Sequence, residues 1–508
     1  MNESSQTTDS NKPEVSAAGS KGLWLFASLF VGLCLLPFVG MLWAQDSPAL
    51  DDDSRSMLPL LVAGDNSVNL EYLQDLGTYF EDHFAYRNLA IDLNARLRAG
   101  LFKTSPTEQV IIGSQGWLFY GGTLDDFRAS SPLDNREIFN ITHNLTLMQG
   151  YTQAMGAQFV VAIAPNKNSL YPHFMPYYYL PATNESMSLL KESLASAQIN
   201  YVDLFELFDG QDDVLYSLTD THWTTEGALL ASNNLLAAGS RGVASETAER
   251  QGAVIVGDIE RMLYPVTAQT EASLGITTGT WHFTGGSVDV ADDIVYTSSA
   301  EGEGVLLMFR DSFADTLIPC LAPEFARAEF TKMIPYNFTQ IADLKPDVVI
   351  VERAQRQVRL LGEDPPFLYA PTAPINYELS LISESEASWR QDGDFRIIEG
   401  FVDEEFIDAQ DSIFISIEGT QGEPAVYVPF LISISLDEKS SGKESLDFDA
   451  AGEASNGAAK EHLYNSPYGF RLFFNERTLP ENEYTVKILV VPSESDTAFV
   501  VGTVSLKK

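Results

Sequence analysis

The strongest constraint on the fold is a set of short apolar runs separated by segments of helical periodicity. The runs are 158–164 (QFVVAIA), 200–204 (NYVDL), 305–309 (VLLMF) and 347–351 (DVVIV); helical spacing of apolar residues marks 136–155, 186–197, 225–238 and 313–320. Strands without polar alternation have to be covered on both faces, which predicts a parallel sheet flanked by helices. The middle of the chain therefore reads as an α/β domain over 67–365, with a Gly/Thr/Ala-rich insertion near 240–300. It opens on a helical pattern near 72–101 and a hairpin at 109–120 (QVIIGSQGWLFY) turning at Gly-Ser-Gln-Gly. Beyond Pro365, Pro366, Pro371 and Pro374 the period shortens. Runs at 412–418, 425–435, 468–474 and 484–491 predict a β-sandwich over 375–508, interrupted by a long solvated loop at 437–462.

The N-terminus has a different character. Residues 1–22 are polar and Ser/Thr-rich, as in a disordered cytoplasmic tail. Residues 23–44 form a run of 22 without a charge, close to the ~20 that span a bilayer as a helix, with Trp24 and Trp43 near its ends. A signal peptide is the rival, but its apolar region is shorter, about 7 to 15 residues. The expectation is a transmembrane anchor over 23–44 and an acidic linker over 45–66. Lys21 before the anchor and Asp46, Asp51, Asp52 and Asp53 after it place the N-terminus inside and the bulk of the chain outside the cell membrane.

Composition excludes several classes. With 31 Lys+Arg against 71 Asp+Glu the net charge is −40, which repels nucleic acid and anionic lipid, and no basic cluster offsets it. At 45% hydrophobic the chain can build a core. Two cysteines, Cys34 and Cys320, make no disulfide framework. Neither a metal signature nor a phosphate-binding or dinucleotide-binding glycine motif is present, so no metal and no cofactor is expected.

Two segments carry chemistry. In Asp220-Thr221-His222-Trp223, residues two apart in extended chain project to one side, so the Asp220 carboxylate can hold the His222 ring in one tautomer. Strand 305–309 runs into Arg310-Asp311-Ser312-Phe313, which puts Ser312 at the carboxyl edge of a parallel sheet and at a helix start, where backbone N–H groups can bind an oxyanion. Taken singly, each motif also fits a bland role, a cap for Asp-Ser and a loop hydrogen bond for Asp-x-His. Together they supply the carboxylate, imidazole and hydroxyl of acyl transfer. Asn166 and Lys167 follow strand 158–164 at the same edge and could donate to an oxyanion or a sugar, or form an ordinary turn. Trp223 could wall a sugar site or join the core; Arg353, also after a strand, could form an ion pair, and Arg310 and Arg353 are further candidates for binding substrate or an oxyanion.

The stretches FAYRNLAIDL, VIIGSQGWLFY, IAPNKNSLYP, LTDTHWTTEGA, GDIERML, MFRDSFADTLIPCLAPEF and LKPDVVIVERAQRQ occur in an order that resembles the DHHW and alginate O-acetyltransferase (AlgX/AlgJ-like) group of SGNH-hydrolase-like proteins, over about residues 70–360. The resemblance implies an SGNH-like α/β fold in which Asp220 orients, His222 is base then acid, and Ser312 is the nucleophile. It implies transfer of acetyl groups to an exported or cell-surface polysaccharide, with a membrane-bound O-acyltransferase as the partner presenting the donor, and likens the C-terminal sandwich to a carbohydrate-binding module. Thr221 replaces the second residue of D-H-H-W, and Arg310 stands where many members of the wider superfamily have Gly. An acetyl esterase with the same triad, and a non-catalytic glycan-binding assembly protein, are the alternatives left open by the residues themselves.

Overall fold

The computed structural model describes residues 17–40, 56–62, 68–83, 85–183, 185–242, 249–277, 279–286, 294–375, 377–378, 387–393, 395–419, 424–432, 468–475, 478–479, 483–495 and 497–507. The loop expected at 437–462 and most of the polar tail lie outside them. The chain divides into two compact units, Met1–Ile112 with Asp258–Gln269, and Gly113–Gly257 with Thr270–Lys508.

The first unit contains helices Ala17–Gly40, Tyr72–His83 and Arg87–Phe102. The helical pattern near 72–101 is thus two helices, broken where Tyr86 turns into the left-handed region at φ 66°. Asp92, 2% exposed, ties the second of them to the 258–269 segment by accepting from the N–H groups of Val266 (3.2 Å) and Thr267 (3.1 Å) and from the Thr267 hydroxyl. The apolar run expected as an anchor belongs to Ala17–Gly40, which takes in Ser20 and Lys21, and 41–44 lie outside the described residues. Among the described residues no helix is long and apolar enough to cross a membrane.

The second unit is built on a seven-stranded sheet. In chain order its strands are β1 (Gln158–Ala164), β2 (Tyr201–Val202), β3 (His282–Gly285), β4 (Val295–Ser298), β5 (Val305–Phe309), β6 (Arg327–Thr331) and β7 (Val348–Ala354), arranged β2-β1-β7-β5-β6-β4-β3. β2, β1, β7, β5 and β6 are parallel; β4 and β3 continue the sheet antiparallel. The insertion near 240–300 therefore supplies an edge to the central sheet, besides an antiparallel pair of its own, Glu249–Ile255 with Glu271–Thr277. Seven consecutive residues of β7 are buried, as a strand covered on both faces requires.

Register fixes where the strands end. Val351 lies opposite Phe309 and Ala354 opposite Ala164, so the segments leaving β1, β5 and β7 emerge at one rim. The helix expected over 313–320 is instead a 3-10 turn, Ser312–Thr316, followed by a single turn, Ile318–Leu321. Pro319 explains the restart. It has no N–H to offer an α-helix begun at 313, and is tolerated in the first turn of a new one.

The C-terminal region is a two-sheet β structure, one sheet of five strands and one of four. The run at 425–435 splits into Ala425–Tyr427 on the first and Phe430–Ile432 on the second, because the chain changes sheets at Val428-Pro429 and Pro429 lacks a donor. Ile397, Phe430 and Phe473 of this region share one buried cluster with Phe309, Phe338 and Val349 of the α/β part. Asn144, fully buried on helix Asn135–Ala154, links them. Its amide donates to the carbonyls of Leu361 (3.1 Å) and Leu431 (2.9 Å), and its oxygen accepts from Leu431 N (2.9 Å). Asn144→Leu strands these groups without partners, and urea denaturation should register a loss of about 2 to 4 kcal/mol.

Candidate functional site

Asp220 and His222 sit on a tight loop. Tyr216 and Trp223 bridge antiparallel at its base, with Thr224 N to Leu215 O at 2.7 Å and Ser217 N to His222 O at 3.2 Å. The tip is pinned by the Glu271 carboxylate, which accepts from Leu218 N (2.7 Å), Thr219 N (2.8 Å) and the Thr219 hydroxyl (2.7 Å). Gly257 packs so closely on the Thr219 carbonyl that a Cβ there would overlap it.

This loop delivers the imidazole to the rim. His222 Nδ1 lies 2.7 Å from Asp220 Oδ1, and the same oxygen accepts from His222 N at 2.9 Å. His222 Nε2 is 2.9 Å from Ser312 Oγ. Side-chain exposures of 21% for His222 and 18% for Asp220 leave the pair reachable from solvent. The buried Phe313 ring meets the imidazole edge-on at 4.8 Å and fixes its tilt. Ser312 is the first residue of its 3-10 turn, so its N–H has no partner within the turn and is free of the turn's own hydrogen bonding.

Asp311 serves the backbone. One carboxylate oxygen accepts from Phe313 N (2.8 Å) and the other from Ala354 N (2.7 Å), so it caps the Ser312 turn and fastens it to the end of β7. Asp311 N in turn donates to Glu352 Oε2 at 3.1 Å. Glu352 is fully buried; burial first, then the neighbouring Asp311 charge, push its carboxyl well above the usual range, against the smaller pull of Arg353 and Arg310. A raised folded-state value means that Glu352 contributes stability below the ordinary glutamate pKa and that the contribution is lost as pH rises toward the folded one. Glu352→Gln keeps an acceptor for Asp311 N and cannot ionise. Thermal melts from pH 5 to 9 should show a shallower decline for this variant than for wild type, and parallel curves would refute the buried acid.

The remaining sequence candidates fall around this centre. Arg310, 1% exposed, donates to the Asp311 carbonyl (3.1 Å) and pairs with Asp315, which also holds Lys332 at 3.0 Å. Arginine therefore stands in the glycine position as a buried clamp on the turn. Arg353 is buried with its guanidinium 4.8 Å from the centre of the Tyr336 ring, a cation–π contact in place of the expected ion pair. Trp223 is 2% exposed and donates to the Thr316 hydroxyl at 2.6 Å; it belongs to the core and forms no sugar-stacking wall.

Asn166 and Lys167 are also buried. The Asn166 amide donates to Asp126 (2.6 Å) and its backbone N–H to Gln355 Oε1 (3.0 Å). The Lys167 ammonium donates to the carbonyls of Leu118 (2.6 Å), Leu218 (2.8 Å) and Asp220 (2.9 Å), over the rings of Trp117 and Phe119. Neither is placed as an oxyanion donor. Lys167 instead clamps the backbone that carries Asp220. The cap read for Asp-Ser is what Asp311 forms; sequence reasoning missed its tie to Ala354, and missed Glu352, Gln355 and Asp126. The signal available was position, since each lies within three residues of a strand end or in a short polar helix.

Comparison with known proteins follows the same segment. Residues 110–259 match the family described as SGNH hydrolase-like domain, acetyltransferase AlgX. A probable alginate O-acetylase AlgJ of Pseudomonas syringae pv. tomato is 28% identical over 226 residues, which cover 42% of this chain and 51% of that protein, so the chain spans about half the length of that relative. Among solved structures, PatB1 of Bacillus cereus is similar with a TM-score of 0.40 and 16% identity over 49% of this chain and 96% of that one. The O-acetyltransferase domain of Pseudomonas putida AlgJ gives a TM-score of 0.36 and 19% identity over 49% and 92%. Through residues 110–259 the chain is similar to the SGNH hydrolase-like domain of the AlgX acetyltransferases, the group that its ordered motifs resemble.

Proposed function

We propose that this protein is an O-acetyltransferase that modifies an extracytoplasmic polysaccharide through an acetyl-enzyme on Ser312. The observation that carries the reading is the continuous chain from Asp220 through the His222 ring to the Ser312 hydroxyl, at 2.7 Å and 2.9 Å. Ser312 Oγ attacks the acetyl carbonyl carbon while its proton passes to His222 Nε2. The Asp220 carboxylate stabilises the resulting imidazolium, and the Ser312 N–H contributes to binding the oxyanion. Collapse of the intermediate breaks the bond to the donor's oxygen, which takes the proton from His222. A sugar hydroxyl then gives its proton to His222, attacks the acetyl-enzyme and leaves as the new ester, and the proton returns to Ser312. Water in place of the sugar gives hydrolysis by the same residues.

The acceptor class follows from the AlgJ relatives, whose name specifies alginate. A donor delivered by a membrane-bound O-acyltransferase, and a location at the cell membrane with the bulk of the chain outside, rest on the family resemblance and on the charge-free run at 23–44. The test is incubation of full-length protein with an aryl acetate and a panel of oligosaccharides, read by mass spectrometry. The expected result is a gain of one acetyl group on Ser312 and then on a sugar. Acetate release without sugar acetylation indicates the esterase, and glycan binding without any acetyl-enzyme overturns the enzymatic reading.

A further inference from the structure

Most basic side chains near the rim are already spent. Lys167 holds three carbonyls, Arg310 and Lys332 share Asp315, and Arg353 is buried over Tyr336. Arg359 pairs with Glu137 and donates to the carbonyls of Ser131 (2.7 Å) and Pro132 (2.9 Å). Arg356 differs. It is half-buried, and among the described residues its guanidinium makes no hydrogen bond and no ion pair; Nη1 is covered without a partner, which leaves Nε and Nη2 as the edge open to solvent.

Two rings hold that guanidinium in place. Its carbon lies 5.6 Å from the centre of the Tyr120 ring, at the end of strand Leu118–Tyr120, and 5.4 Å from the centre of the Phe313 ring. Phe313 is also the ring that meets the His222 imidazole edge-on at 4.8 Å, so it neighbours both the base and the unpaired cation. A single pyranose residue is long enough to reach from one to the other. Asp126 is the rival counter-ion, since it lines a small pocket together with Arg356 and Arg359. Burial raises its carboxyl, its hydrogen bond is with Asn166 at 2.6 Å, and the pull of Arg356 is the weakest of the influences on it. The Arg356 charge is thus left to be answered from outside. A chain of net charge −40 repels a polyanion as a whole, so an anionic glycan is held only where a local cation faces it. The planar fork of arginine matches a carboxylate, and a partly buried pair is screened by salt less than one on the open surface.

We propose that Arg356 determines the charge of the acceptor: the open edge of its guanidinium binds the carboxylate of a uronate residue in the glycan and so presents a hydroxyl of that chain to His222. This deepens the transferase reading and rests on it for the ligand's role as acceptor. The probes are hexamannuronate and the matched β-1,4-linked mannohexaose, which differ only in oxidation at C6, titrated calorimetrically against full-length protein. Wild type should bind the uronate at least about tenfold more tightly than the neutral sugar. Arg356→Gln should weaken the uronate by about tenfold or more and mannohexaose by less than about twofold, so that the preference collapses. Arg356→Lys keeps the charge without the fork and should retain part of the preference. The preference is decisive because a purely structural role for Arg356 would weaken both sugars together. Equal affinities in wild type, no binding of either sugar, parallel losses in Arg356→Gln, or a preference that survives the glutamine overturns the assignment. Labelling of wild-type Ser312 by an aryl sulfonyl fluoride, run in parallel, reports on the catalytic reading separately, so either can fail alone.

Discussion

Ser312→Ala should lower acetyl transfer and aryl-acetate hydrolysis by about 10⁴- to 10⁶-fold, with circular dichroism and melting temperature close to wild type. Removing Oγ deletes the atom that becomes acylated and leaves a methyl group that the half-buried position accommodates. His222→Ala should cost about as much, because the serine without a base keeps its proton. The double variant should be little slower than either single one, since residues that act as a unit are not additive. Asp220→Asn is informative in another way. It preserves the shape of the contact at 2.7 Å but presents a neutral group to Nδ1, and so removes the charge that stabilises the imidazolium. Steady-state rates with an aryl acetate, and the kinetics of sulfonylation at Ser312, measure all four. Turnover by purified Ser312→Ala within about tenfold of wild type would eliminate the covalent route.

What was legible in the sequence divides along physical lines. The parallel strands were legible because continuous apolar runs report burial on both faces, and the positions of Asp220, His222 and Ser312 followed from a two-residue spacing and a strand end. β7 was longer than its apolar run, because Glu352 and Arg353 are charged residues buried in a strand. Polarity hid them. Their burial is made tolerable by the Asp311 backbone N–H and the Tyr336 ring, partners distant in sequence, which no local pattern announces. The same holds for the change of sheets at Pro429, read as one strand, and for the helix at 313–320, where Pro319 marked the break more reliably than the apolar spacing marked the helix. Lys167 shows the limit most clearly. A lysine after a strand, at the rim of a sheet, reads as a donor to substrate. Only the convergence of three carbonyls, one from strand Leu118–Tyr120 and two from the Asp220 loop, reveals that it is holding the backbone.

That assignment makes a large and distinct prediction. Lys167→Met retains most of the apolar stem over Trp117 and Phe119 but leaves the buried carbonyls of Leu118, Leu218 and Asp220 without their shared charged donor. Hydrogen bonds from a buried charge are worth about 1.5 to 3 kcal/mol each, and they share one ammonium, so a loss of about 3 to 5 kcal/mol in the stability of the unit is expected by urea denaturation. Lys167→Arg should not restore it, because a planar fork on a different stem cannot point three N–H groups at carbonyls arranged around a tetrahedral nitrogen. Activity should fall as a consequence, through kcat more than KM, because the released Asp220 backbone carries the carboxylate away from the His222 ring. The decisive comparison is in a Ser312→Ala background, where no turnover remains to be affected. If Lys167 clamps the loop, Lys167→Met destabilises that protein by the same amount as it does wild type; if Lys167 instead serves the reaction at the rim, stability is unchanged there and only the rate in the Ser312 protein suffers.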